Sequence, residues 1–82
     1  MVANANWNYK EFMNTINEVR ERAKTDGDFR STCLSHPQRA IEEIAGHEFD
    51  YYDIIFVDNI EESKLYIDAA RTLAFVLPDA EI

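Results

Sequence analysis

The chain has 82 residues, 46% of them hydrophobic, with 16 acidic residues against 8 basic ones and a net charge of −8. That length is room for one domain with one small core, and the hydrophobic share is too high for a disordered acidic tail. The charge disfavours DNA, RNA and anionic membrane surfaces, which need Lys and Arg to displace counterions, and it favours a basic protein surface as partner.

A single cysteine excludes an internal disulfide, and Cys33, His36 and His47 do not make a four-ligand zinc pattern. No cofactor or metal is therefore expected. A domain of this size buries only about 60–65% of the surface its unfolded chain exposes, so self-association into a homo-oligomer is the usual remaining stabiliser. There is no run of 18 apolar residues to span a membrane. The start, MVANANWNYK, lacks the positive region and apolar run of a secretory signal. A lone thiol fits a reducing cytoplasm.

Residues 1–6 are small and polar and are expected to be a disordered N-terminus, with a single domain over residues 7–82. The spacing predicts a first helix over 7–24, with Phe12, Ile16, Val19 and Ala23 on one face. Asn6 or Asn8 would cap it, and Glu18 and Arg22 form an i,i+4 pair on the other side. Thr25-Asp26-Gly27 breaks the pattern, and a short second helix follows over 26–34, with Phe29, Cys33 and Leu34 facing inward. Ser35 and Gln38 have the spacing of a reciprocal capping box, with Pro37 in the first turn of a third helix over 36–45. That helix presents Ala40, Ile41, Ile44 and Ala45 on its apolar side, and Gly46 ends it.

After Gly46 the texture changes to aromatic and β-branched residues, which predicts a strand over 52–58. Leu65-Tyr66-Ile67 alternates and is read as a second strand over 64–68. The rival reading makes Ile60–Ala70 a short helix, because Lys64 follows Ile60 and Glu61 at helical spacing. A last strand over 72–77 ends at Pro78. Helices followed by strands argue an α+β fold, N-terminal helices followed by a small antiparallel sheet. The expected core is Phe12, Ile16, Val19, Phe29, Leu34, Ile41, Ile44, Phe56 and Leu77.

No complete catalytic set is present. Cys33 has His36 three residues away but lies near a helix C-terminus, where the dipole disfavours a thiolate; a buried structural thiol is the reading. His36 and His47 flank the third helix about 15 Å apart and cannot share a metal on that helix. Glu42 with Glu43, and Glu61 with Glu62, are sequence neighbours that do not face each other, so they read as solvated acidic faces rather than a carboxylate pair. Tyr51 and Tyr52 read as half-buried strand residues, and Trp7 lacks the basic company of a nucleic-acid site. Two glycines cannot build a phosphate loop.

The stretch FRSTCLSHPQRAIEEIAG, with the later FVLP, resembles the nitrile-hydratase-like leader-peptide family, whose pattern also occurs in the α-chains of nitrile hydratase and thiocyanate hydrolase. Phe29, Arg30, Leu34, Pro37, Ala40, Ile41, Glu43 and Gly46 stand in the places of the family motif, and Val76, Leu77 and Pro78 close it. Cys33 replaces an apolar residue, and the segment from Ile60 to Arg71 is longer than the family's usual strand connection. The enzyme branch resembles a C-x-x-C-S-C metal loop, which a chain with one cysteine cannot build. The precursor branch usually continues through a Gly-Gly-like cleavage point into a core peptide, and this sequence has no Gly-Gly. The resemblance implies a non-catalytic, leader-like module, not an enzyme, that docks a protein partner such as a peptide-modifying enzyme. The alternative is an accessory or regulatory subunit of a nitrile-hydratase-type metalloenzyme, with a hydrolase chain as partner. The expected partner-binding residues are Glu42 and Glu43 on the third helix and Leu73, Phe75 and Leu77 on the last strand.

Overall fold

The structure, a computed structural model, describes residues 9–47 and 52–81. Three helices, α1 (Tyr9–Thr25), α2 (Gly27–Ser35) and α3 (Pro37–Ala45), precede strand β1 (Asp53–Val57), a short helix α4 (Ile60–Ser63) that runs into a 3₁₀ turn (Lys64–Tyr66), and strand β2 (Thr72–Val76). The α+β class stands. The frayed N-terminus, the Asn6 or Asn8 cap, Trp7 and Tyr51 lie outside the described residues.

The apolar spacing of α1 does what it predicts. Phe12, Ile16, Val19 and Ala23 are buried, joined by Thr15. Arg22 turns to Asp26 and to Glu43 of α3. Asp26 separates the first two helices: its backbone is extended and its Oδ1 accepts the Phe29 N–H at 3.0 Å. Gly27 is thus the first residue of α2 rather than a breaker.

The expected capping box at Ser35 does not form. Ser35 is the last residue of α2, its hydroxyl donating to the Ser31 carbonyl at 2.8 Å. His36 (φ −139°, ψ 69°) is the junction, with its N–H on the Thr32 carbonyl and its own carbonyl accepting from Ala40. The cause is Pro37, whose ring disfavours helical backbone at the residue before it. The break therefore falls at His36, and Gln38 loses the capping position. Gly46 ends α3 as read, at φ +82° with its N–H on the Glu42 carbonyl.

Two expectations about the strands are corrected. Residues 64–68 are not a strand; the rival helical reading of this segment is the observed one, over 60–66. Asn59 caps α4 by accepting the Glu62 N–H at 2.9 Å, while its side-chain N–H donates to the Glu62 carboxylate at 3.0 Å. With no strand between them, β1 and β2 pair with each other, and the sheet is parallel rather than antiparallel, in register Asp53↔Thr72 through Val57↔Val76. Residues 58–71 are long enough for the crossover that a parallel pair needs, and they carry α4 across the sheet. Arg71 enters β2 in the left-handed region at φ 59°.

Ile54 and Phe56 of β1, with Leu73 and Phe75 of β2 opposite them, face the three helices. The Phe12 and Phe75 rings meet at 6.0 Å between centroids, and Phe56 and Phe75 at 6.2 Å. Strand alternation gives the opposite face to Ile55, Val57, Ala74 and Val76, where the crossover lies against both strands. Of the expected core, Leu34 is an exception at 40% exposed, and Ile44 is only partly buried. Helix α2 buries just Phe29 and Cys33, one turn apart, and Leu34 lies a residue off that stripe.

One side chain ties the two halves of the motif together. The Arg30 guanidinium donates to the Pro78 carbonyl at 2.7 Å, to the Ala23 carbonyl at 3.4 Å and to Asp58 Oδ1 at 3.0 Å. Further along, the Glu81 N–H reaches the Lys24 carbonyl at 2.7 Å. The segment after β2 is thus fastened to the end of α1.

Candidate docking site

The sheet sets out which groups a partner can meet. Asp53 N–H donates to the Arg71 carbonyl at 2.7 Å, and Leu77 N–H donates to the Val57 carbonyl at 2.9 Å. These bonds bracket the ladder and set its phase. The backbone of Leu73 and Phe75 turns to β1, and that of Thr72, Ala74 and Val76 turns outward. On this outer edge the Val76 carbonyl accepts from Arg20 Nε at 2.9 Å, and the Thr72 N–H leans on the Ala69 carbonyl at 3.3 Å. Between them the Ala74 N–H and carbonyl have no hydrogen bond among the described residues. The edge is short and stopped at one end by an arginine, a common device for limiting edge pairing.

The residues expected to bind a partner fall in two places. Leu77 is buried at 2% exposure, and Leu73 and Phe75 pack against the core. Their side chains pack inward, so what β2 offers outward is its backbone at Ala74. Glu42 and Glu43 are exposed on α3. Helix α3 and strand β2 do not approach one another along their backbones.

Glu43 belongs to a polar cleft of about 150 Å³ where α1, α2 and α3 converge, lined by Arg22, Asp26, Asp28, Phe29, Thr32 and Glu43. The Arg22 guanidinium stands 4.5 Å from the Phe29 ring centroid, 3.6 Å from Asp26 and 3.9 Å from Glu43. Arg22 thus ties the end of α1 to Asp26 at the start of α2 and to Glu43 on α3. His47 lies 2.6 Å from Glu11, and His36 contacts Ser35, at opposite ends of α3. They share no site.

Cys33 is fully buried, and that burial pushes its thiol up from 9.0 to about 11, against the partial relief of Arg30 nearby. A protonated, inaccessible thiol is a poor nucleophile. Among the described residues no three His, Cys, Asp or Glu side chains gather as a metal would need, and no helix is long and apolar enough to cross a membrane.

Sequence reading did not single out Arg20 and Ala74, which the structure places at the outer edge of β2. The edge residues depend on strand phase, which only the pairing partner sets. The crossover had a readable signal in Asn59 followed three residues later by Glu62. Comparison with protein-family models, curated proteins and solved structures finds no match.

Proposed function

We propose that this chain is a non-catalytic, leader-like docking module of the nitrile-hydratase-like leader-peptide type, cytoplasmic, and read by a partner protein such as a peptide-modifying enzyme. The observation that carries the docking mode is the outward N–H and carbonyl of Ala74 on β2, which have no hydrogen bond among the described residues. A partner strand there would gain main-chain hydrogen bonds without disturbing the β1 ladder. The leader-like part draws support from Arg30, which joins the Phe-Arg end of the motif to the Val-Leu-Pro end through the Pro78 carbonyl. The buried thiol supports a role without chemistry of its own.

Capture from the native host with the whole protein as bait tests the reading. A peptide-modifying enzyme should be recovered, whereas a hydrolase catalytic chain would favour an accessory subunit instead. Ala74→Pro removes the outward N–H and spares the β1 ladder, so it should abolish capture of the identified enzyme. Glu42→Lys with Glu43→Lys reads the helix face separately. Capture unchanged by Ala74→Pro would remove the strand edge from the reading.

A further inference from the structure

Among the described residues Arg20, Lys24 and Arg30 are the partly buried cations. Lys24 meets Glu21 and Glu81, and Arg30 meets Asp58. Arg20 meets no carboxylate among the described residues, although the chain holds 16 acidic side chains. Its neighbours three and four residues away on α1, Ile16, Asn17, Ala23 and Lys24, include none. The side chain is nonetheless held in place. Its Nε donates to the Val76 carbonyl at 2.9 Å, which fixes the guanidinium at the outer edge of β2, and its two terminal amino groups have no hydrogen bond among the described residues.

The strand beside it completes a set of groups. The Ala74 N–H and carbonyl and the Val76 N–H turn outward without a partner, while the Val76 carbonyl is taken by Arg20. A strand added parallel to β2 would accept the Ala74 N–H, return one N–H to the Ala74 carbonyl and then accept the Val76 N–H. Its next donor would need the Val76 carbonyl, where Arg20 already stands. A parallel strand therefore meets a stop at the point where its own carbonyl oxygen faces Val76 N–H and a guanidinium. An antiparallel strand would bring its N-terminal side, and an N–H donor, to the same cation. A terminal carboxylate suits both facts: it ends the strand, and it matches the planar fork of arginine. We infer that the outer edge of β2 takes the C-terminal residues of a partner chain, running parallel to β2, with the free α-carboxylate on the Val76 N–H and the Arg20 guanidinium. This rests on the strand-edge reading above and adds to it the direction and the end group of the partner strand.

The test uses the whole protein, isotopically labelled, and alternating threonine–valine hexapeptides at millimolar concentration. One has a free C-terminal carboxylate, one is amidated, and one is amidated with a glutamate as its fifth residue. The free acid should shift the Ala74 and Val76 amides and bind at least tenfold tighter than the plain amide, with the preference shrinking as salt rises. Arg20→Met should remove the preference and leave both peptides at the affinity of the amide. If that variant loses stability, the ratio of acid to amide on the wild-type protein and its salt dependence decide the matter. Equal binding of acid and amide, both abolished by Ala74→Pro, would overturn the inference and leave the strand edge standing, with Arg20 only a stop. Absence of shifts at Ala74 with any peptide would overturn both. Binding of the glutamate amide as tight as the acid would overturn the inference by making a side-chain carboxylate the ligand. A dimer in sedimentation that Ala74→Pro dissociates would overturn it too, by making a second copy the occupant.

Discussion

Arg30 and Cys33 are neighbours on α2 with opposite duties. Arg30 is mostly buried, at 14% side-chain exposure, and satisfies two backbone carbonyls and one carboxylate with a single guanidinium. Arg30→Met keeps the stem and removes the donors, and should cost about 2–3 kcal/mol, because the Pro78 carbonyl is left short of a partner. Asp58→Asn should cost less than 1 kcal/mol, since that carboxylate is half exposed and screened. Chemical denaturation of both variants checks the ratio. For Cys33 the prediction is a pH dependence. Its thiol is held neutral in the fold up to about 11, while the unfolded chain ionises near 9.0. The stabilisation is therefore complete below pH 9 and is lost as pH rises through 11. Cys33→Ala should remove part of the alkaline fall in stability, measured as the difference between the two proteins so that tyrosines and lysines cancel. A thiol reagent should find Cys33 only after unfolding.

Helix α3 gives the contrast between a residue that docks an element and one that flanks it. Ile41 is fully buried and Ile44 partly so. Ile41→Ala should cost about 3–5 kcal/mol and Ile44→Ala about 1–2 kcal/mol, because a half-buried site loses less contact and leaves less cavity. Unfolding midpoints of the pair decide it, and equal losses would mean that Ile44 is more enclosed than it stands here. The C-terminal end of α3 was legible because Gly46 accepts a left-handed backbone, whereas the start was read from a Ser35 cap that Pro37 displaces to His36. The core stripe of α1 was legible as well, since its spacing has one helical solution. The segment 60–67 was not, because Leu65-Tyr66-Ile67 alternates like a strand while Asn59 and Glu62 cap like a helix. Calling it a strand also cost the sheet direction, since a strand there invites antiparallel neighbours and a helix there makes a crossover. Residue type pointed to Leu73, Phe75 and Leu77, whose side chains the structure packs against the core, whereas the outward N–H and carbonyl of Ala74 follow from a strand phase that the pairing partner sets.

At the scale of the molecule, three helices and one face of the sheet share a single core, while the crossover and the outer edge of β2 contribute little to it. Amide exchange should follow that division. The α1 amides of Ile16 and Val19 should exchange only through global unfolding, whereas those of Glu62, Ser63 and Ala74 should exchange through local opening orders of magnitude faster. Comparable protection across both sets would show that the crossover is an integral part of the cooperative unit.

The parallel pairing also bears on how the chain folds in time. Contacts among α1, α2 and α3 lie close in sequence and form at small loop-closure cost. Strand β2 has no such shortcut: its ladder must wait for the crossover to span the sheet, and the Arg20–Val76 and Arg30–Pro78 bonds close separations of 56 and 48 residues. The helices can therefore assemble while Phe75 and Leu77 are still outside, leaving one apolar flank of Phe12 and Phe56 briefly bare. On this topology the C-terminal strand is expected to arrive last, and the waiting flank is where a crowded or overproduced chain would first stick to its neighbours.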